Sequence, residues 1–96
     1  MRLELSGAAD ADLTAILDYG IENFGWDAAV RYLRDLDHAF DLLRQHPQAG
    51  PVHLSPQPEC RSLSCRNHRI YYQLEDDLIT VLRVLHTSMD AERWLE

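Results

Sequence analysis

Alternating and helical periodicities divide the 96-residue chain into a strand, two helices and three more strands. Arg2 to Ser6 reads R-L-E-L-S, which puts Leu3 and Leu5 on one side of a short strand. Ser6 then stands where a helix N-cap belongs, with Asp10 and Asp12 near the positive end of the helix. Leu13, Ile16, Leu17, Gly20 and Phe24 follow at the spacing of one apolar stripe, and Gly25 stops the helix. Asp27 is expected to cap a second helix, on which Ala29, Leu33, Leu36, Phe40 and Leu43 form a seam suited to packing along another helix. Pro47 and Gln48-Ala49-Gly50-Pro51 end it. So short a link between the two helices predicts an antiparallel helical hairpin.

Residues 50–59, GPVHLSPQPE, contain three prolines and are expected to form no regular element, only a surface loop. Cys60 to Cys65 is the weakest strand candidate. His68 to Leu74 alternates, with Ile70, Tyr72 and Leu74 on one face and Arg69, Tyr71 and Gln73 on the other. Leu78 to His86 is apolar on both faces, as an interior strand should be, and Glu75-Asp76-Asp77 joins it to its predecessor as a hairpin. Asp90 is placed to cap a short terminal helix through Leu95. The expected fold is α+β, in the order β-α-α-β-β-β, with the helical hairpin packed on one face of a small, mostly antiparallel sheet.

Length and composition narrow the picture. Residues 1–96 suffice for one domain, and 46% hydrophobic with 26% charged residues is a globular composition. No apolar run is long enough for a transmembrane helix. The N-terminal MRLELSGAADADL carries acids where a signal peptide needs an apolar stretch. Two cysteines are too few for a disulfide scaffold, so the expected setting is the reducing cytoplasm.

The net charge of −7 argues against a surface built to bind nucleic acid. All nine basic residues are arginine, and they are unevenly placed: residues 60–74 hold Arg61, Arg66 and Arg69 with no Asp or Glu. Two readings fit this patch. It is a solvated strand edge that discourages sheet-to-sheet pairing, or it is a site for an acidic partner.

Candidate chemistry is sparse. The four glycines are scattered, so no phosphate-cradling loop exists, and no nucleophile has an evident base beside it. Cys60 and Cys65 with His53 or His68 fit no standard zinc spacing. The suggestive set is Arg69, Arg83 and His86 with Tyr71 or Tyr72, on two strands expected to pair. Such groups, brought together, would bind a phosphate and move a proton, as a metal-free ribonuclease requires. The competing reading is that the arginines pair with some of the many acids and His86 bonds backbone groups at a strand end. Trp26 and Trp94, near helix ends, read as core or hairpin-closing anchors rather than a base-stacking platform.

The helices, A-D-A-D-L-x-x-I-x-x-Y (Ala9 to Tyr19) and A-x-x-Y-x-x-x-L-x-x-A-F-x-L-L-x-x-H-P-x-x-G (Ala29 to Gly50), resemble those of the RelE/ParE toxin superfamily. H-R-I-Y-Y (His68 to Tyr72) followed by I-x-V-L-R-V-L-H-x-S-M-D (Ile79 to Asp90) is similar to the ParE branch in particular. The resemblance spans nearly the whole chain. It implies the toxin of a type II toxin–antitoxin pair that poisons DNA gyrase by binding, without catalytic residues, cofactor or metal. It also implies a ParD-type antitoxin, with a ribbon-helix-helix half that contacts operator DNA and an amphipathic tail that folds along the toxin. Arg61, Arg66, Arg69, Arg83 and His86 are then the candidate partner-binding residues. The RelE branch, which cuts messenger RNA on the ribosome, is the alternative, since Arg69, Arg83 and His86 resemble its positions. The absence of lysine, the absence of a tyrosine after Tyr72 and the acidity disfavour it. A family member that survives only as a partner-binding module is the third reading.

Overall fold

The computed structural model describes residues 1–53 and 60–95. Five strands form one sheet: β1 (Arg2–Leu5), β2 (Val52–His53), β3 (Cys60–Cys65), β4 (His68–Glu75) and β5 (Leu78–His86), in the spatial order β1-β5-β4-β3-β2. Helices α1 (Gly7–Phe24) and α2 (Trp26–Gln45) make the hairpin on one face, and α3 (Ala91–Trp94) follows β5. All neighbouring strands are antiparallel except β1 and β5, which run parallel with Leu3 opposite Ile79. The expected architecture holds with one addition. The stretch expected to be irregular contributes β2, in which Val52 and His53 pair with Arg61 and Cys60. Two residues free of proline suffice for that much ladder, because Pro51 still offers its carbonyl to the Ser62 N–H at 3.3 Å. The rest of that loop, 54–59, lies outside the described residues.

Ser6 joins the first strand to the first helix. Its N–H donates to the Val81 carbonyl at 2.9 Å, its hydroxyl donates to the Leu82 carbonyl at 2.7 Å, and its Oγ accepts the Ala9 N–H at 3.0 Å. It is the N-cap read from the sequence, and it also anchors the helix to β5. At the other end of α1, Gly25 alone separates the helices. Its φ of 89° lies where side chains with a Cβ are strained, and one such residue reverses the chain. Because the link is so short, Gly25 itself precedes α2 and no side chain caps that helix. Asp27, expected to be the cap, sits instead inside the first turn, where its charge still suits the dipole.

The core lies between hairpin and sheet. Ala9 from α1 and Leu36, Phe40 and Leu43 from α2 meet Ile70 and Tyr72 of β4 and Ile79, Val81 and Val84 of β5. The two helices come close where Gly20 faces Ala29, since a Cβ on Gly20 would stand 3.0 Å from that of Ala29. The other expected members of the α1 stripe are only partly covered, and Phe24 is 68% exposed. Trp26 (63% exposed) and Trp94 (42%) are likewise not core anchors.

A bulge breaks the β4–β5 register. Tyr71 opposes Arg83, but Tyr72 opposes Val81, leaving Leu82 as the extra residue. Ile79 and Val81 face the helices before the bulge, and Val84 and His86 face them after it. Arg83 therefore projects from the opposite side of the strand to His86.

The H-P-x-x-G turn after α2 is held by a single buried phenol. Tyr72 Oη donates to the Pro47 carbonyl and accepts the Gly50 N–H, both at 2.9 Å. Burial raises the Tyr72 pKa, which keeps this phenol protonated and able to do both. Gly50 sits so close to β3 that a Cβ there would stand 2.2 Å from the Ser62 carbonyl oxygen.

Candidate functional site: an apolar groove with a basic rim

The four candidate arginines and His86 do not meet at one point. Arg61 Nη1 donates to the Gly50 carbonyl at 2.8 Å and helps hold the turn after α2. Arg69 Nη1 donates to Ser62 Oγ at 2.8 Å across the β3–β4 pair. Arg66, in the two-residue turn between β3 and β4, pairs with Asp35 of α2 and lies over the Tyr32 ring, 5.2 Å from its centroid. Of these three, only Arg66 reaches the helical hairpin's open side.

Arg83 is taken up by Asp12. Nε and Nη2 donate to the two carboxylate oxygens, each at 2.7 Å, and Asp12 also accepts the Val84 N–H at 2.9 Å. The carboxylate thus closes the edge of β5 beyond the end of β1, which links α1 to the sheet. Arg83 Nη1 further donates to the Trp94 carbonyl at 3.1 Å, and its guanidinium lies over the Trp94 ring. The bond to Asp12 raises the Arg83 pKa. Of the two sequence readings for Arg83, ion pairing is the one found. Cys60 and Cys65, five residues apart on one strand, project from opposite faces and do not come together.

His86 does find neighbours, though not the arginines. His68 and His86 are directly paired across β4 and β5, with ring centroids 5.3 Å apart, edge to face. Tyr32 of α2 packs edge-on against His68 at 5.4 Å. The Asn67 N–H donates to Tyr32 Oη at 3.2 Å, and the same hydroxyl shares a hydrogen bond of 2.5 Å with His68 Nδ1. Burial raises the Tyr32 pKa and keeps that hydrogen in place. Nδ1 of His68 is therefore engaged by the phenol, and Nε2 is the ring nitrogen left over. In the same way the Ser88 N–H donates to His86 Nδ1 at 3.1 Å, which directs the His86 hydrogen to Nε2.

These side chains form one wall of an open groove of about 640 Å³. Ile16, Tyr19, Gly20 and Phe24 of α1 and Ala28, Ala29 and Tyr32 of α2 form the apolar wall. Arg66, Asn67, His68 and His86 form the polar rim at the end of the sheet. Tyr19 is 63% exposed, so the apolar surface continues out of the groove to Phe24. Among the described residues, no group of three or more His, Cys, Asp or Glu is arranged to hold a metal ion. No described helix is long and apolar enough to cross a membrane.

The sequence reading missed Tyr32, Asn67 and His68 as site residues. Their only signals were the A-x-x-Y of α2 and the N-H-R that opens β4, and neither names a site without the pairing of His68 with His86.

His68 makes stability depend on pH. Burial, then the neighbouring His86, lowers its pKa from 6.5, while Asp12 opposes the shift. The unfolded chain then binds the proton more readily than the fold does, so this contribution is complete above pH 6.5 and is lost as pH falls through the depressed value. Denaturant titrations between pH 7.5 and 5.5 are expected to show the fold weakening toward acid, and His68→Gln is expected to flatten that slope. Identical slopes for the two proteins would contradict this assignment.

A helical hairpin packed on a five-stranded sheet, with an open groove at one end, defines a RelE/ParE-like toxin fold. The chain belongs to the ParE toxin family of type II toxin–antitoxin (parDE) systems, whose family model matches residues 3–91. It is similar to Toxin ParE1 of Mycobacterium tuberculosis, 39% identical over 93 residues that cover 96% of this chain and 95% of that one. It is also similar to Toxin ParE1 of Caulobacter vibrioides, 30% identical over 91 residues, covering 95% and 94%. A solved structure from a chromosomal ParDE system of P. aeruginosa superposes with a TM-score of 0.78 at 25% identity, covering 90% of this chain and 95% of that one.

Proposed function

We propose that this chain is a toxin that acts on DNA gyrase by binding rather than by catalysis, and that a ParD-type antitoxin neutralises it by laying an amphipathic helix in the groove. The observation that carries this reading is the separation of Arg83 from His86. A metal-free ribonuclease needs its phosphate-binding arginine and its proton carrier on one site. Here the two lie three residues apart on the regular part of β5 and so point to opposite faces, and Asp12 occupies the guanidinium with a two-pronged bond. What remains open is an apolar surface of the kind that receives a partner helix through anchors at helical spacing. Operator DNA would be contacted through the antitoxin, in keeping with the net charge of −7.

Induction of the chain alone is the test. Growth is expected to stop with a DNA-damage response and intact messages, and co-expression of the antitoxin is expected to restore growth. Cleavage of ribosome-bound messages without DNA damage would replace this reading with the RelE-like one.

A further inference from the structure

We propose that the polar rim of the groove is a carboxylate clamp, in which His68, His86 and Arg66 hold an acidic side chain on the flank of the partner helix seated against Ile16, Tyr19 and Phe24. The inference rests on the reading of the groove as the partner's seat, and it specifies that partner's chemistry.

The rim is built of donors. Tyr32 occupies Nδ1 of His68, and Ser88 occupies Nδ1 of His86, so Nε2 is the nitrogen each ring has left for a partner. Among the described residues, neither Nε2 has a hydrogen-bond acceptor. Arg66 stands beside them with half of its side chain exposed and has five N–H donors, more than Asp35 alone can use. The carboxylates near the rim are already engaged: Asp35 of α2 by Arg66, and Asp12 of α1 by Arg83. The remaining titratable groups facing His68 are the neutral phenol of Tyr32 and the thiol of Cys65, directly opposite on β3, whose pKa burial raises. In a chain of net charge −7, this rim is a local cluster of donors with no free acid of its own. The matching occupant has an apolar stripe bordered by Asp or Glu.

The clamp couples binding to protons. In the free chain, burial and His86 favour neutral His68. A carboxylate set against the paired rings favours imidazolium instead, so association takes up a proton. Affinity must then rise as pH falls. A bound-state pKa one unit above the free value gives about tenfold tighter binding.

The test uses the intact chain and its purified ParD-type antitoxin. Calorimetry in buffers of differing ionisation heat is expected to show proton uptake, with Kd tightening a few-fold from pH 8 to pH 6 and approaching tenfold only below the free-state pKa of His68. His68→Gln, which keeps a donor but cannot titrate, is expected to lose most of the pH dependence. His86→Glu is expected to weaken binding about tenfold or more through like-charge repulsion. Wild-type affinity for both variants, with no pH dependence, would overturn the clamp. Tyr19→Asp separates that failure from failure of the groove reading: it abolishes binding if the groove is the seat and leaves it intact if the antitoxin docks elsewhere, which overturns both. A self-associating chain whose dimer dissolves on Tyr19→Asp would make a second copy the occupant and also overturn the proposal.

Discussion

Gly50→Ala is expected to be the most destabilising single change, although it adds one methyl group. The new Cβ would stand 2.2 Å from the Ser62 carbonyl oxygen and 2.9 Å from Tyr72 Oη. The first of these is backbone in a paired strand and has little freedom to move. Relief must come from displacing the turn, which breaks the bonds of Tyr72 Oη to Gly50 and Pro47. Overpacking of this kind costs about 1–3 kcal/mol, and leaving buried polar groups unpaired costs about 1–3 kcal/mol more. Against a total of roughly 5–10 kcal/mol for a domain this size, that is a large share. Tyr72→Phe removes only the hydroxyl and should show the second part alone. Urea unfolding of both variants checks the arithmetic, and a Gly50→Ala midpoint near wild type would contradict it.

Asp12→Ala is expected to be the second most damaging single change. The carboxylate serves Arg83 through two bonds and the Val84 N–H through a third. Both partners of the ion pair are mostly covered, with side chains 19% and 14% exposed. Truncation leaves a covered guanidinium and an open strand edge, at a cost of about 2–4 kcal/mol. Asp12→Asn retains one acceptor and should lose less. Adding Arg83→Met to the Asp12→Ala background should recover part of the loss, because no unpaired cation remains. Equal stability of Asp12→Ala and wild type would show that the pair is dispensable.

These two sites also mark where the sequence was legible and where it was not. The helix ends were readable because Ser6 and Gly25 act through local geometry that their residue types dictate. The inward face of β4 was readable because Ile70 and Tyr72 alternate with polar neighbours. The bulge at Leu82 was not. In Val81-Leu82-Arg83-Val84-Leu85 apolar side chains occupy both faces, so a shift of one residue leaves no mark on the pattern, yet it decides that His86 lies opposite His68 and faces the helices. Asp12 and Arg83 are 71 residues apart, and no local rule pairs them. The stripe of α1 was legible as apolar, but periodicity does not say what covers an apolar face. Gly20 is covered by the hairpin itself, whereas Tyr19 and Phe24 stay open. The arginine patch was visible as composition, and only the register showed that Arg61 and Arg69 serve the sheet while Arg66 turns to the groove.

The central claim is that the chain acts by binding gyrase, and a reconstituted supercoiling reaction tests it most directly. Purified chain added to gyrase, ATP and relaxed plasmid is expected to halt supercoiling and to accumulate linear DNA once the stalled complexes are denatured. Prior addition of the antitoxin should abolish both effects, and the chain should leave ribosome-bound RNA uncut. Unimpeded supercoiling at a large excess of folded chain, together with cleavage of messenger RNA on ribosomes, would contradict the account.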